Sequence, residues 1–394
     1  MLRTALRMLL GDTTKCLGLV FGVAFSTLLI CQQVSIFFGL LGRASSTVDD
    51  VREADIWVMD PSVNTVDVPY PLRETELQRV RGVPGVAWAV PFFRANVGVR
   101  TRSGTLENAL LYGIDDASLI GVPDAFVLGD IDALTRPDAI AVNPAGFRLL
   151  FPGEELGLGR TLELNDNRAR IVAIVDSSPA FAANLTIYTR YSLARQFTNN
   201  GRNDLSFIVA KAALPAEAQT ANENNDEAAA RIRAVADAIE AQTGLRAETV
   251  PEFRWLSIKY ILATTGIPVS FGTVVVLGVI IGIAIVGLTF NQFILENIKQ
   301  YAALKAIGVR NSRLLLMTLA QAGFVAVVGY ALGLFAAACF FTFGAANSDA
   351  LQGFYLLPGV ALGVAGAALF IVVTSTLLSM RRVLRVDPAT VFRG

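Results

Sequence analysis

Four long apolar runs constrain this chain more than any other feature of its sequence. They lie at residues 17–41, 268–294, 314–343 and 356–380. A helix needs about 20 apolar residues to cross the hydrocarbon core of a bilayer, and each run supplies them. The first run exceeds the apolar part of a signal peptide, which is about 7–15 residues long, so we predict an uncleaved span. The chain is therefore predicted to be an α-helical membrane protein with four transmembrane helices.

The composition agrees with membrane insertion and narrows the possible chemistry. Only 17% of the 394 residues are charged, against about a quarter in a soluble domain. The absence of histidine removes the commonest general base and any Ser-His-Asp triad. The three cysteines, Cys16, Cys31 and Cys339, lie in or beside apolar runs, which argues against a thiolate metal site in the polar part. We predict no catalytic site, no metal, no cofactor and no nucleic-acid partner.

Basic residues predict the orientation, because Lys and Arg near span ends stay on the cytoplasmic side. The N-terminus, the segment 295–313 and the C-terminal tail together carry 11 basic and three acidic residues, whereas 42–267 carries 22 basic and 29 acidic ones. Both termini are therefore predicted to be cytoplasmic. The predicted segments are a cytoplasmic amphipathic helix (1–16), span 1 (17–41), an external domain (42–267), span 2 (268–294), a cytoplasmic helix and loop (295–313), span 3 (314–343), an external loop (344–355), span 4 (356–380) and a cytoplasmic tail (381–394).

The external segment is predicted to form a large α+β domain. ADIWVM at 54–59 alternates like a strand, and hairpins are predicted around Ser103-Gly104 and around 165–167. An amphipathic helix at 226–244 ends at Gly244. We interpret its acidic clusters as turn residues, because each adjoins glycine or proline, rather than as a catalytic pair or a calcium site. These clusters are Asp115-Asp116, Asp130 with Asp132, and Glu154-Glu155.

Each predicted span contains a Gly-x-x-x-Gly pattern, which lets helix backbones approach closely. The four pairs are Gly18/Gly22, Gly278/Gly282, Gly329/Gly333 and Gly359/Gly363. They predict a tightly packed bundle without showing which helices touch. No charged residue lies within the core of a span, whereas an ion-coupled transporter usually keeps one there.

The segment between spans 2 and 3, LENIKQYAALKAIGVRNSRLL, combines cations with periodic apolar residues. Glu296 is placed to pair with Lys299 or Gln300 along a helix, and Gly308 is predicted to end that helix. Two interpretations remain open: a helix held in a groove of a partner, or a connector lying on the membrane surface. The candidate partner-binding residues are Glu296, Lys299, Tyr301, Leu304, Lys305, Ile307, Gly308, Arg310 and Arg313.

The chain contains five lysines, and none follows a glycine. A Walker A phosphate loop, G-x-x-x-x-G-K-[ST], is therefore impossible within this sequence. Any ATP-driven action would require another chain.

The run QYAALKAIGVRNSRLL resembles the coupling-helix segment of the MacB/FtsX superfamily of ABC permeases, and most closely its DevC-type branch. The resemblance extends over the chain: LRTALRMLLGDTTKC resembles the family's amphipathic elbow helix, DDVREADIWVMDPS the start of its external core domain, and RRVLRVDPATVFRG its C-terminal tail. One departure is Lys299-Gln300-Tyr301, which lacks the acidic residue often present before the tyrosine in DevC-like loops.

The resemblance implies a homodimeric permease of the bacterial inner membrane. Its implied partners are two copies of a separate ATPase, a periplasmic adaptor of the HlyD type with an outer-membrane channel, and membrane lipid. The implied function is export of a lipid, glycolipid or other hydrophobic cargo by movement of the external domain. Two alternatives are an FtsX-like transmitter that activates an external enzyme without transport, and a membrane-anchored receptor without an ATPase.

Overall fold

The structure is a computed structural model that describes residues 2–101, 104–178, 180–181, 183–198, 204–213, 225–347, 351 and 354–385. The chain divides into two compact units, one formed by residues 1–39 and 266–394 and the other by residues 40–265. The helices, in chain order, are α1 (Leu2–Gly11), α2 (Thr13–Asp50), α3 (Glu74–Arg81), α4 (Pro144–Leu150), α5 (Tyr191–Phe197), α6 (Asn225–Thr243), α7 (Val250–Thr264), α8 (Ile267–Glu296), α9 (Ile298–Ala306), α10 (Asn311–Asn347) and α11 (Pro358–Arg385).

The strands follow the same chain order. They are β1 (Ile56–Met59), β2 (Leu72–Arg73), β3 (Val86–Arg100), β4 (Leu106–Ile114), β5 (Phe126–Leu128), β6 (Ala139–Val142), β7 (Thr161–Leu164), β8 (Asn167–Val175), β9 (Leu185–Arg190), β10 (Asp204–Leu205), β11 (Phe207–Ala212) and β12 (Arg246–Thr249). All of them belong to the unit formed by residues 40–265.

Four helices, α2, α8, α10 and α11, are long and apolar enough to cross a membrane, in agreement with the predicted spans. Helix α2 does not end near residue 41, where span 1 was predicted to end. It continues without a break to Asp50, and residues 43–50 contain neither proline nor glycine that would stop it. Parts of the predicted external loop (348–350 and 352–353) and of the tail (386–394) lie outside the described residues.

Side-chain hydroxyls join the apolar helices to one another. Ser375 of α11 donates to the carbonyl of Ile283 in α8 at 3.1 Å, and Ser379 donates to that of Gly287 at 3.2 Å. Tyr330 of α10 donates to a carbonyl of α11 at 2.9 Å. Hydrogen bonds of this kind contribute to helix association where apolar burial alone gives no preference over lipid.

The unit formed by residues 40–265 is a mixed α/β domain built on one ten-stranded sheet. Its path runs β12-β1-β11-β3-β4-β9-β6-β8-β5, and β7 pairs with both β3 and β8. The pairings β3-β4-β9-β6-β8-β7 return to β3 and so close a ring of six strands. Strand β3 belongs both to this ring and to the remaining strands β12, β1 and β11. It changes partner along its length: Phe92 lies opposite β11 and Phe93 lies opposite β4.

Both faces of this sheet are buried, and they form separate cores. Alternate residues of β4 show the division, since Ala109 and Leu111 lie in one core and Leu110 and Tyr112 in the other. The first core receives α3, α4, α5 and α6, and the second contains an aromatic group around Trp57, which is packed edge-on against neighbouring rings. A sheet covered on both sides explains why many of its strands read as continuous apolar runs.

A buried ion pair lies beside β3. The Arg94 side chain is 3% exposed, and it donates to the Asp67 carboxylate at 2.7 Å and to the Asp67 carbonyl at 2.6 Å. We expect Asp67→Ala to lower the free energy of unfolding by about 3 kcal/mol, because it leaves a buried guanidinium without a counter-ion. Thermal unfolding of the detergent-purified protein measures this change.

Two further variants separate the buried charge from general effects of substitution. The double variant Arg94→Met/Asp67→Ala is expected to regain part of the loss, because no unpaired charge remains. Glu76→Ala breaks the more exposed pair with Arg79 and is expected to change stability by less than about 1 kcal/mol. If Asp67→Ala were as stable as the native protein, the guanidinium would not depend on this carboxylate.

Candidate functional site

The 296–313 segment contains the short helix α9, which an interruption of the helical backbone separates from α8 on one side and from α10 on the other. Helix α8 ends at Glu296, and Asn297 separates it from α9. At the other end, Gly308 has φ +95. Its N–H donates to the carbonyl of Lys305 at 2.9 Å, and that of Val309 donates to Leu304 at 3.0 Å. This is the Schellman arrangement, so Gly308 ends α9 as predicted.

One side of the 296–313 segment is exposed. Lys299, Arg310 and Arg313 are exposed, and Lys305 is partly exposed. Ile307, which follows the last residue of α9, is 82% exposed, an unusual state for a large apolar side chain. Protein interfaces commonly bury an apolar group at their centre and keep polar groups at their rim, so an exposed Ile307 in a segment with exposed cations is suited to binding a partner.

The other side of α9 faces its own helical unit. Tyr301 is 1% exposed and Leu304 is partly buried, and both pack in the core that contains α1, α2, α8, α10 and α11. Burial raises the pKa of Tyr301, with the Thr318 hydroxyl opposing the shift. The prediction that Tyr301 offers an apolar contact to a partner was therefore wrong for this chain, because its ring is used to hold α9 in place.

Glu296 was predicted to pair with Lys299 or Gln300, and this was also wrong. Its carboxylate forms an ion pair with Lys15, which pairs with Asp12 as well. The reason is geometric: Glu296 is the last residue of α8, and the break at Asn297 removes it from the helical register of α9. The pair connects the junction of α1 and α2 to the start of the 296–313 segment.

Three of the four Gly-x-x-x-Gly pairs lie at helix contacts. Gly18 and Gly22 of α2 face Thr289 and Ile285 of α8, while Gly278 and Gly282 of α8 face α2 in return. Gly329 and Gly333 of α10 also face α2. Helix α2 is therefore the common partner. Gly359 and Gly363 of α11 have no atom of the described chain within 4 Å of an added Cβ, so their predicted packing role is not met within this unit.

Three residues of the acidic clusters in the unit formed by residues 40–265 have partners within that unit. Asp115 accepts from the backbone and hydroxyl of Ser118, both at 2.8 Å, and Asp116 accepts from Ser192. Glu154 pairs with Arg160 at 2.5 Å. Among the described residues, no group of three His, Cys, Asp or Glu side chains is arranged to hold a metal ion.

Sequence reasoning missed Gln321, which the structure places between α1 and α9. Gln321 is fully buried in α10, and its side chain donates to the carbonyl of Ala5 in α1 at 2.7 Å. The available signal was a single amide within the apolar run LLLMTLAQAGFVAVV, since a buried polar group requires a partner.

Two family models match this chain. Residues 16–234 match the MacB-like periplasmic core domain, and residues 272–388 match the FtsX-like permease C-terminal region. The first match covers more than half of the chain. The chain belongs to the MacB/FtsX family of ABC transporter permeases. Membership implies a non-enzymatic membrane subunit that has an ATPase partner.

Individual proteins are also similar to this chain. An uncharacterized ABC transporter permease of Mycobacterium tuberculosis, from strains CDC 1551 and H37Rv, is 26% identical over 387 residues, covering 96% of this chain and 93% of the relative. Among solved structures, the extracellular domain of the noncanonic ABC-type transporter YknZ from Gram-positive bacteria is 17% identical, over 50% of this chain and 98% of that chain, with a TM-score of 0.33. The periplasmic region of MacB from Actinobacillus actinomycetemcomitans is 14% identical, over 56% and 97%, with a TM-score of 0.38.

Proposed function

We propose that this chain is the permease subunit of an ABC exporter of the MacB/DevC type. A separate ATPase binds the 296–313 segment, and hydrolysis moves the external unit to export a lipid, glycolipid or other hydrophobic cargo. The assembly contains two permeases, two ATPase chains, an HlyD-type adaptor and an outer-membrane channel. It lies in the bacterial inner membrane with both permease termini in the cytoplasm.

The observation that carries this proposal is the two-sided structure of the 296–313 segment. Tyr301 anchors α9 in the helical unit, while Ile307 and Arg310 are exposed. A partner that binds the exposed side can therefore push on the ends of α8 and α10 through α9. A connector lying on the membrane surface would instead bury its apolar side in lipid, and Tyr301 is buried against protein.

The far end of α2 supports the second half of the proposal. Its last turn belongs to the unit formed by residues 40–265 and is held there by three contacts: Thr47 with Tyr112 at 2.6 Å, Asp50 with Ser178 at 2.7 Å, and Asp49 with Arg254 at 2.8 Å. Val48 and Val51 are buried in the second core of that unit. Helix α2 runs without a break from the predicted span into this unit, and this continuity supports the proposal that movement of the span reaches the unit formed by residues 40–265.

An FtsX-like transmitter is the second candidate. The same unbroken α2 favours it, because transmission of force requires a stiff connection and no cargo site. The two candidates differ in their external partner: an adaptor for the exporter, and an enzyme for the transmitter.

Affinity purification of the tagged protein in mild detergent from its own cells tests the proposal. We expect a Walker-containing ATPase to co-purify, with ATP hydrolysis in the eluate. An HlyD-type adaptor in the same complex supports export, and a coiled-coil hydrolase supports the transmitter. Recovery of the permease without an ATPase, under conditions in which the protein stays folded, would contradict both candidates and favour the receptor alternative.

A further inference from the structure

Gln321 joins two short helices that are distant in sequence. Its amide donates to the Ala5 carbonyl of α1 at 2.7 Å, and the Tyr301 hydroxyl of α9 lies 3.5 Å from its amide oxygen. A carbonyl can only accept a hydrogen bond, so the amide nitrogen must face α1, and the amide oxygen is left to accept from Tyr301. The side chain therefore bridges the two helices in one orientation.

The surroundings make this bridge specific. Gln321 is 0% exposed, Tyr301 is 1% exposed and Ala5 is 0% exposed, and their neighbours in the core are mainly apolar. A buried amide without partners would be costly, so the low-energy arrangement keeps α1 and α9 within reach of the same side chain. If either helix moved away alone, a polar group of Gln321 would lose its partner.

A second contact joins the two helices that adjoin α1 and α9 in the chain. Lys15, in the first turn of α2, forms its ion pair with Glu296, the last residue of α8. Lys15 also pairs with Asp12 in the turn between α1 and α2. The N-terminal region is thus attached to the 296–313 segment at its start through Lys15 and at its middle through Gln321.

We infer that Gln321 is a positioning residue that makes α1 and α9 move as one body. Helix α1 places Ala5 and Leu9 in the core and exposes Arg7 and Leu10, so it has one side on the protein and another side free. Displacement of α9 is then transmitted to α1 as well as to α8 and α10. The bridge itself can be measured in the permease alone. Only its effect on ATP hydrolysis rests on the proposed function.

Hydrogen exchange of the full-length protein in nanodiscs, followed by mass spectrometry, tests the bridge. The variants are Gln321→Met, which keeps the size but removes the amide, and Tyr301→Phe, which removes only the hydroxyl. We expect Gln321→Met to increase the exchange rate of both α1 and α9 amides about fivefold, the effect of losing one buried hydrogen bond. Tyr301→Phe is expected to increase exchange in α1 as well, although Tyr301 is on α9.

The effect of Tyr301→Phe on α1 separates a bridge from local packing. Thr376→Val is the matched control, because Thr376 is equally buried and its hydroxyl donates within α11, to the carbonyl of Val372 at 2.7 Å. It is expected to leave α1 and α9 unchanged. Faster exchange confined to the substituted helix, in both test variants, would overturn the inference.

A second measurement connects the bridge to the proposed function. In the complex with its co-purified ATPase, Gln321→Met is expected to lower permease-stimulated hydrolysis about fivefold while the ATPase stays bound. If no ATPase co-purifies, the proposed function fails and the exchange result still decides on the bridge. Unchanged hydrolysis together with unchanged exchange would reject the bridge and leave the proposed function intact.

Discussion

Changing Lys305 and Arg310 to glutamate is expected to weaken the binding of the partner ATPase at least about tenfold, with loss of permease-stimulated hydrolysis. Arg310 is exposed beside Ile307, and Lys305 lies in the last turn of α9. If the partner presents acidic groups to these cations, reversal places like charges together, which costs several kcal/mol at an interface. Binding is measured by quantifying the ATPase that co-purifies with equal amounts of permease, at low and at high salt.

Two control variants isolate the contact from effects on insertion. Arg381→Glu/Arg382→Glu makes the same change in charge and in the positive-inside pattern, but in the C-terminal tail instead of the 296–313 segment, and is expected to retain the ATPase. Arg310→Lys keeps the charge and is expected to retain most of the binding, which salt should weaken. Full binding and hydrolysis in the double reversal would show that the ATPase does not use this segment.

Replacing Gly329 and Gly333 by leucine is expected to prevent folding of the helical unit. A Cβ at Gly333 would lie 2.5 Å from the backbone oxygen of Ala24, and one at Gly329 would lie 2.6 Å from Cβ of Val23. Since one of these obstacles is the backbone of α2, rotamer changes cannot relieve them, and α2 and α10 must separate. We expect the yield of monodisperse protein in size-exclusion chromatography to fall at least about tenfold, consistent with losses above 4 kcal/mol.

The fourth glycine pair supplies the matched control. Gly359→Leu/Gly363→Leu makes the same chemical change in α11, where an added Cβ meets no described atom within 4 Å. It is expected to give nearly the native yield. Equal yields from the two double variants would mean that α2 and α10 are not packed through their glycines. If the α11 variant folded but failed to associate with a second copy, this face would be the dimer contact.

The spans were predictable because a bilayer imposes a length and a polarity that can be read locally. The same holds for Gly308: a glycine directly after the apolar Ile307 predicts a helix end, and the structure places Gly308 there with φ +95. The hairpins β3–β4 and β7–β8 were also predictable, because each joins strands that are neighbours in the sequence through a short stretch of turn residues. The closed strand ring was not, because its closure pairs Val99 with Leu164, and no nearby signal marks a contact between such distant residues.

Glycine spacing shows the difference within one motif. The sequence contains four similar Gly-x-x-x-Gly pairs, and nothing in them distinguishes Gly333, which faces α2, from Gly363, which faces no described residue. Each pair predicts only that a close approach is possible. Which helix approaches depends on how all of the spans pack together.

The amino-acid sequence by itself determined the four apolar helices, the large α+β domain between the first two of them and the end of α9, because each depends on short-range pattern or composition. Only the tertiary structure decided which side of α9 is available to a partner. The spacing of Ile298, Tyr301, Leu304 and Ile307 predicts an apolar side but not what covers it. The structure buries Tyr301 against its own bundle and exposes Ile307. Contacts between distant residues hold the segment in place: Tyr301 meets Gln321, 20 positions away, and Glu296 meets Lys15, 281 positions away.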